Sequence, residues 1–298
     1  MSLGNLIFLF LGSAIATLLF LKLGMKLARS LDLVTPRKLG RRKSNLSRNV
    51  PLIGGFGAAG GAAVGLFLAA PVDAGDVLLG AGEITRQLYA TLIAVGILWF
   101  GGLVADRMKR PATGLLLLSH LAAVIVLLQA GVRIRAMELP WGGEMPVFLA
   151  TLLTAVWLFL MIQFSRFLDG IDGLLPMVAL LLTLGQLRMV WQMPEPFALA
   201  LGAISLGIYG IMFLATIYPA RVYWGNNGSA IPGLLLGMMA IAARTKSFMT
   251  FGAIVPMLII VLTIGYIGLR LLERSLLAVR YPRGVSSPPS GKSADPRR

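Results

Sequence analysis

The stretch SRFLDGIDGLLP, Ser165–Pro176, decides how this chain is read. It joins two apolar runs, 145–164 and 173–192, each of a length that crosses a bilayer. It carries two aspartates, Asp169 and Asp172, each followed by a glycine. Acids are costly at membrane depth and point to function there. A junction between two spans keeps both carboxylates at the water interface, where they can stay charged.

The rest of the chain agrees with a membrane setting. Of 298 residues, 57% are hydrophobic and 13% charged, whereas a soluble domain is about a quarter charged. There is no cysteine, so disulfide and thiolate chemistry are excluded. The formal net charge of +15 would suggest nucleic acid in a soluble protein. Here the basic residues flank apolar runs, which fits cytoplasmic loops and no nucleic-acid partner.

Nine candidate spans follow from apolar length: 3–25, 51–70, 87–105, 112–131, 145–164, 173–192, 196–219, 229–243 and 248–272. The first lacks a basic leader segment and is too long for a signal core, so it reads as a retained span. Most of the 27 Lys and Arg residues then fall on one side, above all in the segment 26–48 and the C-terminal tail. The positive-inside rule places that side in the cytoplasm, with the N-terminus out and the C-terminus in. The expected fold is an all-α, polytopic transmembrane bundle formed by one domain over 1–280. The tail 281–298, rich in Pro, Ser and charge, is expected to be disordered.

This orientation collects the unusual segments on the inner face. ADRMKRP, 105–111, carries Asp106 beside Arg107, Lys109 and Arg110; by itself it reads as a solvated basic turn with one acid in a surface ion pair. Asp169 and Asp172, three apart, share a face if helical. With a further ligand they can hold Mg²⁺, which binds one or two carboxylates plus substrate phosphates. Asp172 could instead cap the helix that follows. ARVYWGNNG, 220–228, supplies the turn formers Asn226, Asn227 and Gly228, and Ser229 is placed to cap the eighth span. Arg41, Arg42 and Lys43 suit phosphates or anionic head groups. Gly57, Gly61 and Gly65 have the spacing of close helix packing. His120, the single histidine, lies inside the fourth span and reads as a buried hydrogen-bonded residue.

Taken together, these motifs resemble the polyprenyl-phosphate N-acetylhexosamine-1-phosphate transferase superfamily, also called glycosyltransferase family 4. FLDGIDGL resembles its N-x-x-N-x-x-D-G-[IL]-D-G-L signature, and GGLVADR its G-L-x-D-D-R. YPARVYWGNNGS resembles P-A-x-[IV]-F-x-G-D-x-G-S, and RK with VPLIGG the basic segment and P-x-x-G-G before the second span. The resemblance covers roughly residues 1–245. Ala105 replaces the first of the paired aspartates, Gln163 and Arg166 the two asparagines, and Asn226 the aspartate of the last motif. The family's histidine cluster has no counterpart.

The resemblance implies transfer of a sugar-1-phosphate from a UDP-sugar to a polyprenyl phosphate, with Mg²⁺, in cell-envelope polysaccharide synthesis. It implies an inner (plasma) membrane enzyme with a cytoplasmic active face, where nucleotide sugars are found. Asp106, Asp169 and Asp172 are the implied catalytic residues, and Asp169, Asp172 and Asn226 the implied metal shell. Arg41, Arg42, Lys43, Arg107, Arg166, Asn226, Asn227 and Gly228 are the implied substrate contacts. A homodimer is compatible with this reading. Two rivals stay open: a non-catalytic member that binds lipid phosphate or a partner enzyme, and a transporter.

Overall fold

The structure is a computed structural model that describes residues 1–28, 30, 33–36, 49–70, 82–108, 112–134, 146–192 and 194–243. All of them lie in the compact unit Met1–Pro256. Arg41, Arg42 and Lys43, the expected ninth span 248–272 and the expected tail 281–298 lie outside the described residues.

Eight helices are described: α1 Leu3–Leu27, α2 Gly54–Ala69, α3 Glu83–Arg107, α4 Thr113–Gln129, α5 Val147–Leu168, α6 Leu174–Val190, α7 Pro196–Thr216 and α8 Ile231–Ala242. Each falls within a few residues of an expected span. Four of them, α1, α3, α5 and α7, are long and apolar enough to cross a membrane, while α2, α4, α6 and α8 are apolar but shorter.

The fold is all-α as expected, and one short extended pair accompanies the helices. β1 (Val34–Pro36) and β2 (Asn49–Pro51) pair antiparallel, with Val34 opposite Pro51 and Thr35 opposite Val50. β-branched residues beside prolines favour extended backbone, and each proline can close a short edge pair. Beyond β2, Leu52 bridges in parallel to Tyr223. This extended segment therefore delivers the start of α2 to the segment that precedes α8.

Small residues bring α1, α2 and α7 together. A side chain added to Gly57 would run into Leu21, one on Gly61 into Thr17, and one on Gly65 into Ile204. The expected packing role of that stripe is what these contacts describe. The hydroxyl of Ser13 donates to the Ile204 carbonyl at 3.1 Å, tying α1 to α7. Lipid gives no hydrophobic drive between helices, so close packing and such bonds carry the association. The hydroxyls of Thr17, Thr91, Thr154, Thr183 and Thr216 each donate to the carbonyl four residues earlier. Polar groups at membrane depth are thereby satisfied within their own helices.

The short helix α8 is wrapped by protein: every residue from Ile231 to Ala240 is buried. The Trp157 indole N–H donates to the Gly237 carbonyl at 3.2 Å, and a side chain on Gly233 would strike the Met161 carbonyl. Both contacts pin α8 against α5.

Candidate functional site

The site forms where α3 and α5 end and where α2 and α8 begin. Gly102 of α3 has no room for a β-carbon, because the Asn226 carbonyl and the Asn227 backbone occupy that space. Gly54 and Gly55 of α2 meet Trp224 and Asn227 in the same way, and Gly228 meets Gly55. Gly225 has φ +67, a backbone conformation that side chains disfavour. Glycine on three elements lets the turn 225–228 lie directly on the backbone of α2 and α3. The Gly54 N–H donates to the Tyr223 carbonyl at 2.8 Å, and the Tyr223 N–H to the Pro51 carbonyl at 3.0 Å.

Asp106, one residue from the end of α3, receives that turn. Its Oδ1 accepts from the Asn226 backbone N–H at 3.0 Å and from Asn226 Nδ2 at 2.8 Å. Its Oδ2 accepts from the Asn227 backbone N–H at 3.0 Å and from Asn227 Nδ2 at 2.6 Å. Asn227 Nδ2 also donates to the Leu52 carbonyl at 3.0 Å, which fastens the same amide to the start of α2. A solvated acid in a basic turn is one of the two sequence readings of Asp106. The structure instead gives it four N–H donors from residues 120 and 121 positions away. Its neighbour Ala105 is buried, and Arg107 is exposed.

Arg166, in the last turn of α5, enters the same cluster. Its Nη2 donates to Asn226 Oδ1 at 3.2 Å and its Nη1 to Gln163 Oε1 at 3.4 Å. Asn226 therefore bridges a carboxylate and a guanidinium through the two ends of one amide. Gln163 is also the polar neighbour of His120. His120 is buried as expected, with its ring 6.4 Å from that of Phe159. Its Nδ1 has no partner among the described residues.

Asp169 follows α5 and is half-buried. Burial, with the Asp106 carboxylate as the second cause, raises its pKa well above 3.8, and Arg166 opposes that rise. Asp106, Arg166 and Asp169 thus share one electrostatic environment. Asp172 meets a different segment, where its Oδ2 accepts from the Ala220 N–H at 3.5 Å.

Two capping expectations change. The residue that opens α6 is Gly173 at φ 74, without a side-chain cap, and not Asp172. Ala230 opens α8 in place of Ser229, whose carbonyl accepts from the Ser165 hydroxyl at 2.6 Å. The left-handed conformation at 173 suits glycine, and Asp172 turns its carboxylate to Ala220 instead. The Ser165 bond holds the end of α5 to the turn before α8.

The donor set bears on the implied Mg²⁺. Among the described residues no group of three or more His, Cys, Asp or Glu side chains is arranged to hold a metal ion. Both oxygens of Asp106 are taken by N–H donors, and the amide oxygen of Asn226 by Arg166. Asp169 and Asp172 are the other two acids of the expected set. Two carboxylates alone would suit an ion that arrives on substrate phosphates and would not cage one.

A family model described as glycosyl transferase family 4 matches residues 88–244. This stretch runs from early α3 through the end of α8 and contains Asp106, Arg166, Asp169, Asp172 and the turn at Asn226. The chain belongs to glycosyl transferase family 4. A phospho-N-acetylmuramoyl-pentapeptide-transferase from Synechococcus sp. (strain RCC307) is 31% identical over 174 residues, which cover 54% of this chain and 48% of that protein. The chain thus spans about half the length of that relative. The glycine stripe of α2 and the β1–β2 pair lie before the matched stretch, yet Gly54, Gly55 and Leu52 pack on and bond to the turn 225–228 from outside it.

The glycines of α3 allow a matched test. Gly102→Ala is expected to cost about 2 kcal/mol, since the new methyl group meets backbone that cannot yield cheaply. At Gly96, in the same helix, an added β-carbon would meet nothing within 4 Å. Gly96→Ala should be neutral or raise stability by up to about 1 kcal/mol through helix propensity. Thermal unfolding of the two purified variants in one detergent would measure the difference; equal melting temperatures would refute the close approach of the turn to α3.

Proposed function

We propose that the chain transfers a sugar-1-phosphate from a UDP-sugar to a polyprenyl phosphate, at the cytoplasmic face of the inner membrane. One observation carries the reading: four motifs far apart in sequence meet at one end of the bundle. They are Leu52–Gly55, Asp106, Ser165–Asp169 and Gly225–Ser229, tied by the bonds from Asn226 and Asn227 to Asp106, from Asn227 to the Leu52 carbonyl, from Arg166 to Asn226 and from Ser165 to Ser229. Family membership supports the reaction class, and the basic 26–48 segment supports a cytoplasmic face.

Phosphoryl transfer needs charge neutralisation and positioning more than covalent chemistry from the protein. Asp169 and Asp172 would hold Mg²⁺, which when bound neutralises the donor diphosphate. Asp106 fixes the 225–228 turn and so sets where Asn226 and Arg166 stand. Exposed Arg107 would draw anionic substrates to this end, and Arg41, Arg42 and Lys43 are proposed as phosphate contacts from sequence.

The reading is tested by incubating the purified full chain with radiolabelled UDP-sugars and undecaprenyl phosphate, then extracting lipid. Labelled lipid and released UMP are expected with at least one common UDP-N-acetylhexosamine. No labelled lipid with any donor, from protein that keeps its cooperative melting, would remove the transferase reading. It would favour a non-catalytic member that binds lipid phosphate.

A further inference from the structure

A guanidinium near the end of a membrane span is expensive unless something anionic meets it. Arg166 is half-buried. The acceptors it reaches, Asn226 Oδ1 and Gln163 Oε1, are neutral amide oxygens. The carboxylates of Asp106 and Asp169 attract it, but the hydrogen bonds it makes go to these two amides. Asp106 gives it no hydrogen bond, because its oxygens already accept from four N–H groups of Asn226 and Asn227.

The same two amides also hold the guanidinium still. Gln163, one turn earlier on α5, takes Nη1, and Asn226, itself locked onto Asp106, takes Nη2. A guanidinium has five N–H donors, so among the described residues Nε and the second hydrogen on each Nη stay available. Such a planar fork matches two phosphate oxygens at once. Its ordering cost is already met within the fold, which is how preorganised donors gain affinity.

We propose that Arg166 is the resident cation of this site: it takes a substrate phosphate directly, so that phosphate binding here does not require a divalent ion. The inference rests on the reading that this end of the bundle receives phosphate groups. The phosphate can come from a nucleoside diphosphate or from a prenyl monophosphate, and the two sources are separated by experiment.

The full chain in detergent is titrated calorimetrically with UDP in one arm and farnesyl phosphate in the other, each in EDTA and in Mg²⁺. The wild type is expected to bind at least one ligand in EDTA; the arm that responds names the source. Arg166→Asn should weaken that binding about 10- to 100-fold in EDTA, the worth of charge-assisted hydrogen bonds, and recover part of it in Mg²⁺. With the cation removed, Asp169 and Asp172 should also bind Mg²⁺ itself more tightly than in the wild type.

Binding by the wild type only in Mg²⁺ overturns the proposal, as does an Arg166→Asn variant that matches the wild type in EDTA. If Arg166→Asn binds poorly in both buffers, Arg166→Lys decides. Recovery of EDTA binding with the lysine charge supports the proposal, and continued loss overturns it. The lipid-labelling assay is independent of both arms. Metal-free, Arg166-dependent binding without labelled lipid would leave the phosphate site standing and remove the transferase reading.

Discussion

Asp106→Ala is expected to destabilise the protein by about 4 kcal/mol and to abolish any transfer activity. Four N–H groups lose a charged acceptor at once, and hydrogen bonds to charged groups contribute about 1.5–3 kcal/mol each before neighbours relax. Two of those donors are backbone groups of Asn226 and Asn227, which have no freedom to turn to water while Gly55 and Gly102 press on the same turn. Asn227 Nδ2 keeps the Leu52 carbonyl, so part of the anchor survives. Asp106→Asn keeps the shape but presents an amide group to half of the donors, and should cost about 2 kcal/mol. Melting in detergent gives the order wild type, then Asn, then Ala. Hydrogen exchange at the Asn226 and Asn227 amides should rise in both variants. If Asp106→Ala melts with the wild type and those amides stay protected, the turn is held by its glycine contacts alone.

Much of the architecture is legible in the chain itself, and the reasons are physical. A span must be a long apolar run, so the eight described helices lie close to the runs that announce them. The packing role of Gly57, Gly61 and Gly65 is legible for a similar reason, since close approach demands missing side chains at a fixed spacing. Asp169 and Asp172 stand out because acids between spans are rare. What the chain does not announce is pairing across distance. Asp106 sits beside Arg107 in sequence, but its partners are 120 and 121 residues away, and only two adjacent asparagines in a glycine turn hint at a donor-rich surface. The same holds for Arg166. Its place at a signature asparagine makes it an implied substrate contact, whereas its orientation toward Asn226 and Gln163 follows from where the turn rests. The caps at 172 and 229 are illegible because Asp and Ser are good caps in general, while here glycine geometry and the Ser165 hydroxyl decide the local backbone.

Asp169→Asn and Asp172→Asn should each lower turnover by about 10²–10³ without lowering stability by a comparable amount. In the proposed reaction both carboxylates meet a phosphate-borne Mg²⁺, and their charge matters most as charge develops on the transferring phosphoryl group. Stability moves differently, and Asp169 gives the sign. Its folded-state pKa lies well above 3.8, first through burial and then through Asp106. The folded protein therefore holds that proton more tightly than the unfolded chain, and ionising Asp169 works against folding. The penalty is absent below about pH 4 and grows until the pH passes the raised folded value. Melting of Asp169→Asn in EDTA should accordingly match the wild type in acid and exceed it as the pH rises. A variant that is both inactive and less stable at neutral pH would make Asp169 a structural residue. A variant that keeps full turnover would hand the phosphoryl charge to Arg166 alone, leaving the guanidinium as the group on which the chemistry of this site turns.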